Sequence, residues 1–261
     1  MILRIDESVF AVLAVAVFLV AIEVGFRLGL RHRARTDDKD RDHFKTLQTA
    51  LLGLLSLLLG FNFAMAAARF DARKSSLQDE VNAINTSWRR AQLLPLPQRA
   101  EVSELLRDYV AARIAFTRAG TDETLLDSAS EEATRIDTKL WDVNEAMFNA
   151  GVTSPQQLNL FTQALNEMMN VRGKRRTAFD NHVPEPVLQL LFTVAVGAFG
   201  FIGYAYGLTG TRRYISTAIY AVLVALVLAT ILDFDRPRGG FIRVSEDGME
   251  RLQASFAPHP P

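Results

Sequence analysis

The sequence predicts an all-α integral membrane protein with four transmembrane helices and a soluble helical domain between spans two and three. Four apolar stretches, arranged as two pairs around a polar middle region, support this prediction. Each stretch approaches or exceeds the length of about 20 residues that a helix needs to cross the hydrocarbon core. Because a backbone in lipid must satisfy its own hydrogen bonds, a helix is the expected conformation of each stretch.

The four stretches are almost free of charge. Val9–Phe26 contains one charged residue, Glu23, whereas residues 46–68, 187–211 and 214–232 contain none. We expect the first stretch to be an uncleaved anchor, because the chain stays apolar beyond the small residues where a signal peptide would be cut. The predicted segments are 1–68 for spans one and two with a charged connector, 69–186 for the soluble domain, 187–232 for spans three and four, and 233–261 for the tail.

The polar middle region continues span two as a helix. No Gly or Pro interrupts the chain between Ala68 and Pro95, and Leu77, Val81 and Ile84 recur at helical spacing. The pattern predicts one long helix that contains span two and continues into the soluble domain.

Three further helices are predicted in the soluble domain. The first is closed by Gly120, and the second runs from Asp122 to Gly151. The third begins at Ser154, a favourable N-cap, followed by Pro155 at the first helical position. No alternation long enough for a strand is present, which favours an all-α fold.

The composition argues against several classes of function. Lysine plus arginine and aspartate plus glutamate both number 29, so the net charge is zero and a nucleic-acid partner is not expected. The absence of cysteine excludes disulfides and thiolate chemistry. No catalytic cluster is recognisable, so we expect neither an enzyme nor a bound cofactor.

One acidic run superficially resembles a calcium loop. Asp38, Asp40 and Asp42 match the first ligand positions, but His43 and Thr49 occupy the positions where such a loop needs Gly and Glu. We therefore expect a solvated loop and helix N-terminus, with no metal.

Span two contains the main candidates for a functional site. Asn62 lies between Phe61 and Phe63 within the apolar stretch. A phenylalanine ring could form a dewetting constriction in a pore, with Asn62 as a polar contact. The alternative is that Asn62 makes a buried contact between helices.

Charged residues at the ends of the spans form a second group of candidates. Glu23 precedes Arg27 by four residues, which predicts a local ion pair or, alternatively, a role in permeation. A charged corner follows span four, with two acids, Asp233 and Asp235, and two arginines, Arg236 and Arg238. The arginines could hold lipid phosphates or pair with carboxylates of the middle domain.

Span three contains a pair of glycines, Gly203 and Gly207, in a GxxxG pattern. Small residues at this spacing allow two helices to approach closely in a membrane. The packing is expected either inside one subunit or between subunits.

Several motifs resemble a widespread bacterial family of bestrophin-like membrane proteins, over about residues 9–256. They are the stretches Gly60–Ala66, Arg69–Arg73, Glu80–Ile84, Leu93–Pro95 and Leu232–Ser245. The resemblance implies four spans and a large helical region between spans two and three. It also implies a pentameric, mainly anion-conducting channel whose neck is lined by apolar and aromatic residues of span two.

The leading functional hypothesis is a homo-oligomeric ion channel in the lipid bilayer, with small ions as its cargo. The alternative is a non-conducting scaffold or sensor that binds a partner through its soluble domain. Basic residues flank the spans almost equally on both sides, so the positive-inside rule has little weight here. We expect a multi-pass protein of a bacterial inner membrane with its soluble domain in the cytoplasm.

Overall fold

The computed structural model describes residues 6–151 and 153–256, and all regular structure in these residues is helical. A 3-10 turn, Arg33–Arg35, follows the first helix. The α-helices of the described chain are α1 (Glu7–His32), α2 (Asp38–Ala91), α3 (Gln98–Arg118), α4 (Glu123–Ala150), α5 (Pro155–Asp180), α6 (Glu185–Thr209), α7 (Tyr214–Asp235) and α8 (Asp247–Ser255).

Within the described residues, four segments contain a helical stretch that is long and apolar enough to cross a membrane. They are Ser8–Arg35, Asp42–Ala91, Pro155–Thr209, which covers both α5 and α6, and Tyr214–Asp235. The predicted fold class, an all-α membrane protein with four spans, is confirmed. The ends of the predicted first and last segments, 1–5 and 257–261, lie outside the described residues.

The second helix, α2, is uninterrupted over 54 residues. At 1.5 Å per residue it is about 80 Å long. It begins earlier than the apolar stretch that predicted it, because the Asp37 carboxylate accepts a hydrogen bond from the backbone N–H of Asp40 at 2.8 Å. Acidic residues at a helix N-terminus are favoured by the helix dipole, so most of the charged connector is helical.

The helices of the middle region end where their capping residues predict. Asp122 caps α4 by accepting from the backbone N–H of Leu125 at 3.2 Å, and Gly151 ends it with a positive φ of 62°. Ser154 caps α5, with Pro155 in its first turn.

The described chain divides into two compact units. The membrane unit contains the chain up to Arg69, together with His182–Arg236 and Gly240–Ile242. The helical unit contains Phe70–Asn181, Pro237–Gly239 and the chain from Arg243 onwards.

The chain re-enters the membrane unit at His182, which precedes the predicted start of span three at residue 187. Val183 precedes α6, yet it is only 1% exposed in the core of the membrane unit. Its backbone N–H donates to the Asp235 carboxylate at 2.7 Å. This buried contact, which hydropathy does not register, assigns the connection before α6 to the membrane unit.

Each unit has its own core. In the membrane unit Phe18 stacks on Phe199 with ring centroids 4.5 Å apart. In the helical unit Trp88 stacks on Phe256 at 4.0 Å, so the C-terminal helix α8 and the residue that follows it pack against the other helices of this unit.

Candidate functional site

Span two is the least covered of the four spans. Within the most apolar 18-residue window of each span, 17% of the residues of span two are buried, against 28%, 39% and 44% in the other three. Most residues of this span are therefore only partly covered by the described chain or exposed. Their exposed surface is available to lipid, to water or to a second copy of the protein.

Large apolar side chains form an exposed row along one face of α2 in span two. Leu54, Leu57, Phe61 and Met65 recur at spacings of three and four and are 45%, 56%, 63% and 36% exposed. Residues at this spacing lie on one side of a helix. Phe61 is the most exposed of the four and lies near the middle of the row.

Glycines also lie on the exposed face. A Cβ atom added to Gly53 or Gly60 would meet no atom within 4 Å, so packing inside the protomer does not explain either glycine. Small residues in a span allow another helix to approach closely.

The three predicted pore residues do not share one face. Asn62 is 3% exposed, and its Nδ2 donates to the carbonyl of Leu58 at 2.8 Å. Phe63 is 41% exposed and contacts the ring of Phe234 at a centroid distance of 5.6 Å. Successive helical residues point about 100° apart, so Asn62 points into the protomer while Phe61 points out of it. Asn62 is buried in the protomer, and both a pore-lining role and a buried contact between helices stay predictions.

Glu23 makes ion pairs with two arginines. Arg27 donates to its carboxylate at 2.7 Å, and Arg212 approaches at 3.2 Å. Arg212 also lies over the ring of Phe26 at 4.2 Å. Sequence spacing identified Arg27 but missed Arg212, which lies 189 residues away in the chain.

The aspartates after span four accept hydrogen bonds from backbone N–H groups. Asp233 is 4% exposed and accepts from the backbone N–H groups of Phe241 at 2.8 Å and Ile242 at 3.0 Å. Asp235 is fully buried and accepts from Val183. Both carboxylates therefore fix the connections at the ends of α7 and α6.

The two arginines after span four have different environments. Arg236 is partly buried, and its backbone N–H bonds to the carbonyl of Asp233 at 3.2 Å. The guanidinium of Arg238 lies over the rings of Phe116 at 5.0 Å and Phe179 at 5.4 Å. These contacts place Arg238 in a cation–π arrangement within the helical unit.

The glycine pair of span three packs inside the protomer. A Cβ atom on Gly203 or Gly207 would lie 2.0 or 2.3 Å from backbone oxygens of α1. Gly25 and Gly29 of α1 make the reciprocal close approach, because a Cβ atom on either would lie 1.9 or 2.2 Å from backbone oxygens of α6. The expectation of packing inside one subunit matches this geometry, and the glycines of α1 are the partners that the sequence did not identify.

A buried charge cluster in the helical unit was not predicted. Glu80 is fully buried between two arginines: Arg113 donates to it at 2.6 Å, and Arg175 pairs with its other oxygen. Arg175 also pairs with Glu246 at 3.0 Å. Burial raises the pKa of the Glu246 carboxyl, and the positive charge of Arg175 opposes that rise.

Within residues 6–151 and 153–256, no group of three or more His, Cys, Asp or Glu side chains is arranged to hold a metal ion. The residues of the calcium-like run lie at the start of α2, where Asp37 acts as a capping residue.

Comparisons with known proteins agree with this architecture. A bacterial bestrophin homologue from Klebsiella pneumoniae is 17% identical, with a TM-score of 0.65 over 96% of this chain and 98% of that chain. A single-substitution variant of that homologue is 16% identical, with a TM-score of 0.67 over 97% and 99% of the two chains. No curated protein matches the chain. At these identities the solved structures show the shared fold. A family model described as a Bestrophin-like domain matches residues 12–249, and the chain therefore belongs to the bestrophin-like family.

Proposed function

We propose that the protein is a homo-oligomeric ion channel in which the exposed face of span two from each copy lines a central pore. The observation that carries the proposal is the low coverage of span two by the rest of the protomer. The bestrophin resemblance implies anions and five copies, so chloride is the first ion to test.

The chemistry of the exposed face suits a gated pore. In a ring of α2 helices, Phe61 forms an apolar constriction and Leu57 adds a second one turn earlier. A narrow apolar ring expels water and thereby blocks ions until it widens. Gly53 and Gly60 allow the neighbouring helices to approach closely enough to make such a ring.

Asn62 is not part of the pore lining in this proposal. It is buried in the protomer, on a different side of α2 from Phe61, and its amide donates to the carbonyl of Leu58 one turn earlier in the same helix.

The proposal places the protein in a bacterial inner membrane with the helical unit in the cytoplasm. Ser128 is exposed on α4, and the chain has no cysteine. Labelling of a Ser128→Cys variant by a membrane-impermeant maleimide tests the placement. Labelling of intact cells would contradict it.

The channel itself is tested by chloride flux from liposomes that contain the purified protein. Phe61→Ala and Leu57→Ala should each raise the flux by roughly tenfold, which corresponds to about 1.4 kcal/mol removed from the barrier. Leu223→Ala is the matched control, because Leu223 in α7 is 55% exposed and Leu57 is 56% exposed.

Equal flux from the Leu57→Ala and Leu223→Ala variants would contradict a pore lined by span two. The absence of flux from folded protein, across several pH values and voltages, would favour a non-conducting scaffold that binds a partner through its soluble domain.

A further inference from the structure

The helical unit exposes aromatic side chains beside an acid near the end of α4. Trp141, Glu145 and Phe148 follow one another at spacings of four and three, so they lie on one face of the helix. Trp141 is 38% exposed and Phe148 is 73% exposed. With residues of α5 they line a groove of about 620 Å³. We call these three residues the acidic aromatic patch.

The acidic aromatic patch lies near the C-terminal end of α4. Asp142 and Glu145 are in the last three turns of α4, and the last turn has no basic residue. A helix C-terminus itself has a partial negative charge, which favours a nearby cation. Glu145 makes no salt bridge with any residue that the structure describes. A cationic partner would therefore be stabilised at this patch.

A second patch has the complementary chemistry. Arg89, Leu93 and Leu96 follow one another at the same spacings of four and three, at the end of α2 and in the loop that follows it. Leu93 is 53% exposed and Leu96 is 66% exposed. Arg89 is exposed and forms no ion pair within the described chain. We call these three residues the basic apolar patch.

Both patches lie at the same end of the helical unit. The guanidinium of Arg90 donates to the carbonyl of Leu160 at 2.6 Å, which ties the end of α2 to the start of α5. The hydroxyl of Thr162 donates to the Asn144 side chain at 2.9 Å, which ties the end of α4 to the same part of α5. Copies that stand side by side in the same orientation therefore present the two patches at the same level.

We propose that the acidic aromatic patch of one copy binds the basic apolar patch of the next copy. Such a contact joins two different surfaces, and repeated around an axis it closes a ring. It covers apolar side chains that are exposed in the protomer, and it pairs Glu145 with Arg89. The inference rests on the proposed homo-oligomer and adds the site at which the helical units of neighbouring copies contact each other.

Cross-linking of the full-length, cysteine-free chain tests the contact. A double variant, Leu96→Cys with Phe148→Cys, should give a ladder of multimers with a short bis-maleimide, because each copy then links to both of its neighbours. Each single variant should stay unlinked. The matched control is Leu96→Cys with Leu125→Cys, since Leu125 is 56% exposed near the opposite end of α4 and should give no ladder.

Charge reversal separates a specific contact from chance collision. In the double-cysteine background, Glu145→Arg or Arg89→Glu should slow cross-linking by about tenfold, because attraction becomes repulsion. The two reversals together should restore the rate. Failure of the combined reversal to restore it would contradict the pairing of Glu145 with Arg89.

The mass of the uncross-linked protein distinguishes failure of this inference from failure of the proposed oligomer. An oligomeric mass together with the absence of a cross-linked ladder would overturn this inference alone. The patches would then be available to bind an organic cation or a different protein. A single-chain mass would overturn both. Multimers from either single-cysteine variant would show contact between like surfaces and would also overturn the inference.

Discussion

Each of the two units of the molecule is stabilised internally by a different kind of contact. In the membrane unit α1 and α6 approach so closely that a Cβ atom at Gly203 would lie 2.0 Å from the carbonyl oxygen of Ile22. In the helical unit the fully buried Glu80 is enclosed by Arg113 and Arg175. Lipid is as apolar as a helix surface, so close packing replaces the hydrophobic effect in the membrane unit. Removal of a buried charge should therefore destabilise the helical unit, and addition of a methyl group to a packed glycine should destabilise the membrane unit.

The largest effect is expected at the buried charge. Glu80→Gln leaves the buried Arg113 without a negative partner and leaves Arg175 with Glu246 alone, so it should lower the free energy of unfolding by about 3–5 kcal/mol. The chain has two tryptophans, Trp88 and Trp141, and both lie in the helical unit. Tryptophan fluorescence during urea unfolding therefore reports this unit specifically.

The control for this prediction is Glu132→Gln. Glu132 pairs with Arg135 at the surface, with side chains 43% and 56% exposed. Its loss should cost less than about 1 kcal/mol. Equal effects of the two substitutions would show that burial of the Glu80 cluster does not contribute to the stability of the helical unit.

A smaller effect is expected from a methyl group in the membrane unit. Gly203→Ala forces α1 away from α6 and should lower stability by about 1–3 kcal/mol. Gly197→Ala on the same helix meets no atom within 4 Å and should be neutral or stabilising. The fraction of protein that stays folded after heating in detergent measures both. A Gly203→Ala variant as stable as Gly197→Ala would contradict the close approach of α1 and α6.

The smallest effect is expected at a buried acid in the helical unit. Burial raises the pKa of Asp137 to about 6, although Arg172 lies 2.6 Å away and opposes the rise. The pKa in an unfolded chain is about 3.9, so between these two values the folded state retains a proton that the unfolded state loses. Stability from this residue is therefore present at low pH and is lost as the pH rises through that window.

Asp137→Asn should remove this pH dependence. At pH 7.5 the variant should be about 1–2 kcal/mol more stable than the wild type, because a buried ionised group is replaced by a neutral one. Near pH 4 the two proteins should be equally stable. Urea unfolding at several pH values measures the difference, with the exposed Asp142→Asn as control. A constant difference at all pH values would contradict titration of Asp137 in this range.

The spans and the helix ends could be predicted from sequence because their signals are local. Gly151 and Pro155 define the ends of α4 and α5 through the conformations that they themselves adopt. For Gly203 the sequence predicted close helix packing, but it left open whether the packing lies inside one subunit or between subunits. The glycine pattern shows that some helix comes close, but it does not contain the identity of that helix.

The sequence by itself determined four spans, an uninterrupted second helix and the capping of the soluble helices. Each depends on residues a few positions apart, whose hydrogen bonds and hydropathy act along the chain. Tertiary structure alone decided that Phe61 faces outward while Asn62 faces inward. It also brought Glu80 to arginines 33 and 95 residues away. The physical reason is that the direction in which a side chain points and the partner of a buried charge depend on which helices pack against its own helix. Local sequence patterns do not contain that information.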